Sequence, residues 1–220
     1  MDRAEVGVAG AATTQGWRRW EPLTGIAFVA LFVGSVVASH VPALNSPDQD
    51  WVAAYTSGAN QAQHVATGML LVLAGLCLLS FLTILWTRIA TLRRPGLLSP
   101  LPLVAAGVAA ACIAVGGVLM AGISVTLLMG APMPSADLLR FGDAMGFGMV
   151  GVGGMWAAAL SIACASVQAR SAGLFGRWMM VFGLVVAVVL LGSAAFVPIL
   201  ALLIWLIVVV IMLMRSRAKS

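Results

Sequence analysis

From Trp178 to Met214 the chain carries no charged residue. A single helix of that length would measure about 55 Å, well beyond a hydrocarbon core of about 30 Å. The stretch therefore has to turn. Gly192-Ser193 followed by Pro198 supplies the break, and Pro198 is tolerated in the first turn of a new helix, where its missing N–H would have no partner anyway. Four apolar runs precede this pair, separated by polar or proline-containing breaks. With about 20 apolar residues needed per crossing, the expected crossings are about 24–41, 62–86, 102–130, 143–168, 177–195 and 197–214, in one membrane domain covering 1–220.

Composition agrees with that division. Hydrophobic residues make up 62% of the chain and charged residues 9%, whereas soluble chains are about a quarter charged. A water-soluble domain is excluded. Once the runs are read as crossings, the basic residues fall on one side: Arg3, Arg18 and Arg19 before the first, Arg88, Arg93 and Arg94 after the second, Arg170 and Arg177 after the fourth, and Arg215, Arg217 and Lys219 after the last. Positive charge is retained in the cytoplasm, so both termini are expected there, and a five-span chain would strand the last cluster outside. Only Arg140 falls on the outer face. The net charge of +5 reads as topogenic and as contacts for anionic head groups, not as a nucleic-acid surface.

Cys77, Cys112 and Cys164 each sit inside an apolar run without CxxC spacing, which predicts buried structural thiols, not a disulfide framework or zinc site. Val41-Pro42-Ala43 after the first run resembles a signal-peptide cleavage site, but five more runs follow and an uncleaved anchor is expected. The bias to Ala, Val, Gly and Arg, with Lys219 the only lysine, is that of a high-GC bacterial genome.

Trp and Tyr favour the head-group level. Trp17, Trp20, Trp86 and Trp178 fall at the expected inner interface, and Trp51, Tyr55, Phe141 and Phe196 at the outer one; Trp156 and Trp205 must face lipid or fill the core. In the outer loop 42–61, Ser46-Pro47-Asp48-Gln49 reads as a capping box. It predicts a short interfacial helix over about 47–56, with Trp51 and Tyr55 on one face lying on the membrane surface. Glycines at 107, 116, 117 and 122 in the third run and at 146, 148, 151, 153 and 154 in the fourth predict close packing of those two helices.

No Asp, Glu, Lys or Arg lies deep in any run, which weighs against a proton-coupled pump or an enzyme built on buried carboxylates. Polar chemistry gathers instead at the outer ends. His40 closes the first crossing and His64 opens the second; Asp137, Arg140 and Asp143 border the fourth, and Tyr55 lies on the loop between. A site in which His40 and His64 hold a metal or move protons, while Asp143 or Arg140 orients an ionic ligand, is one reading. Interfacial decoration of helix ends is the other, with Asp143 placed at a helix start to suit its dipole. Two histidines alone fall short of the three or four ligands of a transition-metal site. Met145 and Met149 share a helical face and thioethers suit cuprous copper, yet methionine also fills gaps beside glycine-rich helices. There is no P-loop, dinucleotide fingerprint or HExxH, and no cofactor is expected.

Glu21-Pro22-Leu23-Thr24-Gly25 leading into the first crossing, Trp51 to Tyr55 in the outer loop, and Gly176-Arg177-Trp178 opening the fifth resemble a widespread, largely uncharacterised group of small bacterial multi-pass membrane proteins. The resemblance implies six crossings and a bacterial plasma membrane; it carries no catalytic residue. The expectation is an all-α integral membrane bundle, non-enzymatic, acting as a small transporter, channel-like or accessory subunit that handles a lipid or apolar ligand. Its expected associates are membrane lipids and a homo-oligomeric or membrane-protein partner. A membrane-embedded enzyme or metal-handling protein using the outer His/Asp cluster is the alternative.

Overall fold

The computed structural model describes residues 21–39, 41–92, 100–193 and 197–217, and among them every regular element is helical. Among the described residues seven helices follow one another: α1 Leu23–Ala38, α2 Asp48–Thr56, α3 Gly58–Leu92, α4 Leu101–Leu128, α5 Ala136–Ser171, α6 Arg177–Leu190 and α7 Ile199–Arg217. Three of them, α3, α4 and α5, are long and apolar enough to cross a membrane, with 35, 28 and 36 residues; α1, α6 and α7 are shorter apolar helices. His40 and Phe196, the N-terminal Arg3, Trp17, Arg18, Arg19 and Trp20, and Arg93, Arg94 and Lys219 lie outside the described residues.

Several boundaries differ from those read off the sequence. α5 begins at Ala136, not near 143, because Ser135 caps it by accepting from the Leu138 amide while Asp137 sits in the first turn. Asp137 therefore complements the helix dipole, and Asp143, two turns further in, does not. α1 stops at Ala38, and α6, with 14 residues, at Leu190. At about 1.5 Å per residue α6 is roughly 21 Å long, short of a full crossing. In the loop helix the N-cap is Pro47, which offers no side-chain acceptor, so the capping box on Ser46 does not form. Nor does this helix lay its aromatics on a surface. Trp51 and Tyr55 are fully buried, packed with Ala136 and Leu139 of α5.

α4 is the centre of the bundle because it carries two adjacent glycines facing different neighbours. A Cβ on Gly117 would stand 2.6 Å from the Gly68 carbonyl oxygen of α3, and one on Gly116 would stand 2.7 Å from that of Gly146 in α5. Without side chains the three backbones approach closely, the packing mode that apolar helices use where the hydrophobic effect between them is weak. α4 ends at Leu128, and Gly130 just beyond it takes a φ of +88°, the left-handed conformation that suits a position after a helix end.

Residues 149–154 of α5 form a π turn, and its cause lies in the sequence. Gly146, Val150, Gly154, Ala158 and Ile162 are all buried, at steps of four. In a regular helix each step overshoots a full turn by about 40°, so four steps would carry the stripe to the opposite face. One residue absorbed in a wider turn takes out about 100° of that drift. As a result Gly146 and Gly154 both look at α4: Cβ atoms there would meet the Gly116 carbonyl at 2.9 Å and Ile113 at 2.9 Å.

α6 and α7 form a hairpin whose tip ends at this π turn. Ser193 Oγ donates to the Gly151 carbonyl, and Trp156 Nε1 donates to the Leu191 carbonyl at 3.0 Å. Below the tip, α7 closes the bundle against α1, with Gly25 placed against Val210 and Phe81. Trp205 is fully buried there, edge-on to Phe81, whereas Trp156 is half exposed. The three cysteines are free thiols, half-buried and not fully enclosed.

Candidate functional site

Beyond the contact of α7 with α1, a groove opens between α1 and α5. Val150 lines this groove, and the carbonyl of the next residue, Gly151, is the one capped by Ser193. Phe32, Val36, Leu71, Met120 and Phe147 supply further apolar lining, and Ser35, Ser39 and Thr67 the polar groups. The space open to a water-sized sphere is about 200 Å³.

The groove leads into a second, tighter cavity at the α2 end of the bundle. Ser39, Thr67 and Met120 line both, and Val41, Tyr55, His64 and Asp143 complete the inner one, which holds about 10 Å³ of such space. That is room for about one water molecule. Its side chains arrive from five elements: Ser39 from the end of α1, Tyr55 from α2, His64 and Thr67 from α3, Met120 from α4 and Asp143 from α5.

His64 and Tyr55 are held by local contacts. His64 lies one turn before Thr67, so both face inward, and its Nδ1 pairs with the fully buried Ser124 hydroxyl of α4 at 3.1 Å. The Tyr55 and His64 rings are 4.4 Å apart. Gln61 Nε2 donates to the Tyr55 carbonyl at 2.7 Å, tying the end of α2 to the start of α3, and Gln63 Nε2 donates to the Ala38 carbonyl at 2.8 Å. Burial, and secondarily the Asp143 carboxyl, push the Tyr55 phenol up to about 12. The phenol therefore stays protonated as a neutral hydroxyl through the physiological range. Two buried polar atoms on the cavity wall, Asp143 Oδ1 and Thr67 Oγ1, have no hydrogen-bond partner among the described residues.

The outer-face residues singled out from the sequence thus divide in two. Tyr55, His64 and Asp143 share the cavity, while Asp137 and Arg140 belong to a separate clamp. Arg140 donates to the Ser46 carbonyl and to Asp48 at 2.7 Å each and to Asp137 at 3.2 Å, with its guanidinium 5.9 Å from the Trp51 ring. Arg140 does not pair with Asp143; it fastens the loop helix to α5. His40 lies outside the described residues, and among those described no three of His, Cys, Asp and Glu are grouped for a metal ion. The methionines do not gather at one site either: Met129 is largely exposed, Met155 fully buried, and Met120 lines the groove.

Ser39, Thr67, Ser124 and the groove wall were not singled out from the sequence. Their signal was present as His64, Thr67 and Leu71, spaced three and four on one face of α3, with Ser35 and Ser39 one turn apart on α1. Among known families, characterised proteins and solved structures, none matches this chain. The resemblance to small bacterial multi-pass proteins rests on its sequence motifs alone.

Proposed function

We propose that this chain is a six-span protein of a bacterial plasma membrane, with both ends cytoplasmic, that holds an amphiphilic lipid or apolar ligand in the groove between α1 and α5 without acting on it chemically. One observation carries the reading: a mostly apolar groove, open at its side, shares Ser39, Thr67 and Met120 with a small cavity lined by Tyr55, His64 and Asp143. Ligand sites of this kind are mostly apolar with a few polar groups that fix orientation. The rim residues Val36 and Phe147 are exposed at 41% and 37%, so a chain could enter sideways from a bilayer. The six crossings and their orientation rest on the apolar runs and the one-sided arginines. α6 and α7 would then cross as a short hairpin whose tip satisfies its polar groups on α5, as backbone at membrane depth requires.

The test uses protein extracted from membranes and analysed by native mass spectrometry for co-purifying amphiphile. Wild type should carry it, and Val36→Trp, which fills the groove from its exposed rim, should not. Equal loading of both proteins would remove the groove as the site. Orientation is tested by cysteine labelling in intact cells: Asp50→Cys should label with an impermeant reagent and Arg170→Cys should not, the reverse pattern inverting the topology.

A further inference from the structure

Resting on that groove reading, we infer that the ligand is a non-anionic single-chain amphiphile whose head is one hydrogen-bond-donating atom, a hydroxyl or a primary amine, seated between Asp143 and Thr67, with its chain along Phe32, Leu71 and Phe147. Three observations meet at this group.

The first is size. The inner cavity has space for about one water-sized oxygen, about 10 Å³ against about 200 Å³ in the adjoining groove. A phosphate, with its four oxygens, does not fit, and neither does a sugar or choline head. A terminal hydroxyl or primary amine does.

The second is charge. Neither cavity is lined by Lys or Arg among the described residues. Arg140 of α5 is committed to Ser46, Asp48 and Asp137, and the His64 imidazole on the cavity wall is bonded to Ser124. An anionic head would enter beside the Asp143 carboxyl without a lysine or arginine on the wall to compensate it, and such burial is costly.

The third is hydrogen-bond valence. Asp143 Oδ1 and Thr67 Oγ1 are buried on this wall with no partner among the described residues, and buried polar groups left so are rare enough to call for an explanation. A carboxylate oxygen wants a donor, and a threonine hydroxyl can donate or accept. A ligand hydroxyl donates one bond and accepts another, so a single oxygen can serve both. An ether or ester oxygen, which only accepts, would leave Asp143 unserved.

The test compares decanol, decyl phosphate and decylamine as probes of the full chain in nanodiscs, with dissociation constants read by native mass spectrometry and by thermal stabilisation. Decanol and decylamine should each bind at least tenfold more tightly than decyl phosphate. Thr67→Val, which keeps the shape and removes only the hydroxyl, should weaken decanol about fivefold, and Asp143→Leu should do so at least as strongly. If Asp143→Leu fails to fold, Thr67→Val still decides. Equal or tighter binding of the phosphate, or an unchanged Thr67→Val, would overturn the assignment of the head group while leaving the groove as a site. Binding of no probe, or binding that Val36→Trp does not reduce, would overturn the groove reading as well.

Discussion

Tyr55 and His64 come from different helices, yet their rings lie 4.4 Å apart, tilted by 55°, on the wall of the small cavity beside the groove. The contact makes the loop helix α2 the cover of the cavity, not a surface decoration. α2 is held there from both sides: Gln61 ties its last turn to α3, and Arg140 ties its first turn to α5.

Tyr55 is the only tyrosine in the chain, so the phenolate absorbance band reports this residue alone. With the phenol raised from 10.0 to about 12, the band should appear with a midpoint near the higher value in the folded protein and near the lower in denaturant. Because the folded pKa exceeds the unfolded one, the associated stability is fully present below pH 10 and is lost as pH rises from about 10 to about 12. Asp143→Asn should lower the midpoint only partway, since burial is the larger cause. A midpoint that does not differ between folded and denatured protein would contradict the burial of this ring.

Arg140→Ala should cost about 2 kcal/mol in thermal or denaturant unfolding. The bond to the Ser46 carbonyl is charge-assisted and partly shielded, at a side-chain exposure of 22%, whereas Asp48 and Asp137 are exposed at 77% and 92%. Those two exposed pairs contribute little on their own, so Asp137→Asn should change stability by less than about 0.5 kcal/mol. Arg140→Lys should recover only part of the loss, because a single ammonium cannot reproduce the guanidinium fork across three acceptors. Full recovery with Lys would show that charge alone, not geometry, seats the loop helix.

Much of the helix inventory was legible because apolar runs and the charges between them are properties of composition. The start of α5 was not: Asp137 and Arg140 read as loop charges, and only the capping by Ser135 reveals that they already lie on the helix. The aromatics of α2 were read at the correct spacing but on the wrong side, since nothing in residues 48–56 says whether Trp51 and Tyr55 meet lipid or Ala136 and Leu139. The cavity itself depends on hydroxyl residues from separate helices, Ser39, Thr67 and Ser124, each unremarkable in its own segment.

Gly117→Ala should destabilise by about 1–3 kcal/mol, since its methyl group would press on the Gly68 backbone, which cannot swing aside as a side chain would. Gly122→Ala is the control. Its Cβ would meet nothing within 4 Å, and alanine is the better helix former by about 1 kcal/mol, so it should be neutral or stabilising. Thermal unfolding of the two variants checks the pair, and equal effects would deny the close approach of α3 and α4.

Deleting Val152 tests the π turn as the device that aims Asp143. The turn holds one residue more per hydrogen-bonded ring than a regular helix, so its removal should let α5 run as an unbroken α-helix with its helicity intact. The segment before the deletion would then rotate by about 100° relative to the segment after it. Asp143 would leave the cavity, and so would Ala136 and Leu139, the seat of Trp51 and Tyr55. The expected result is unchanged far-ultraviolet circular dichroism together with a Tyr55 titration midpoint falling back toward 10.0. Retained helicity with the midpoint still near 12 would mean that the turn serves only the packing of Gly146 and Gly154 on α4, and that α2 finds its seat without it.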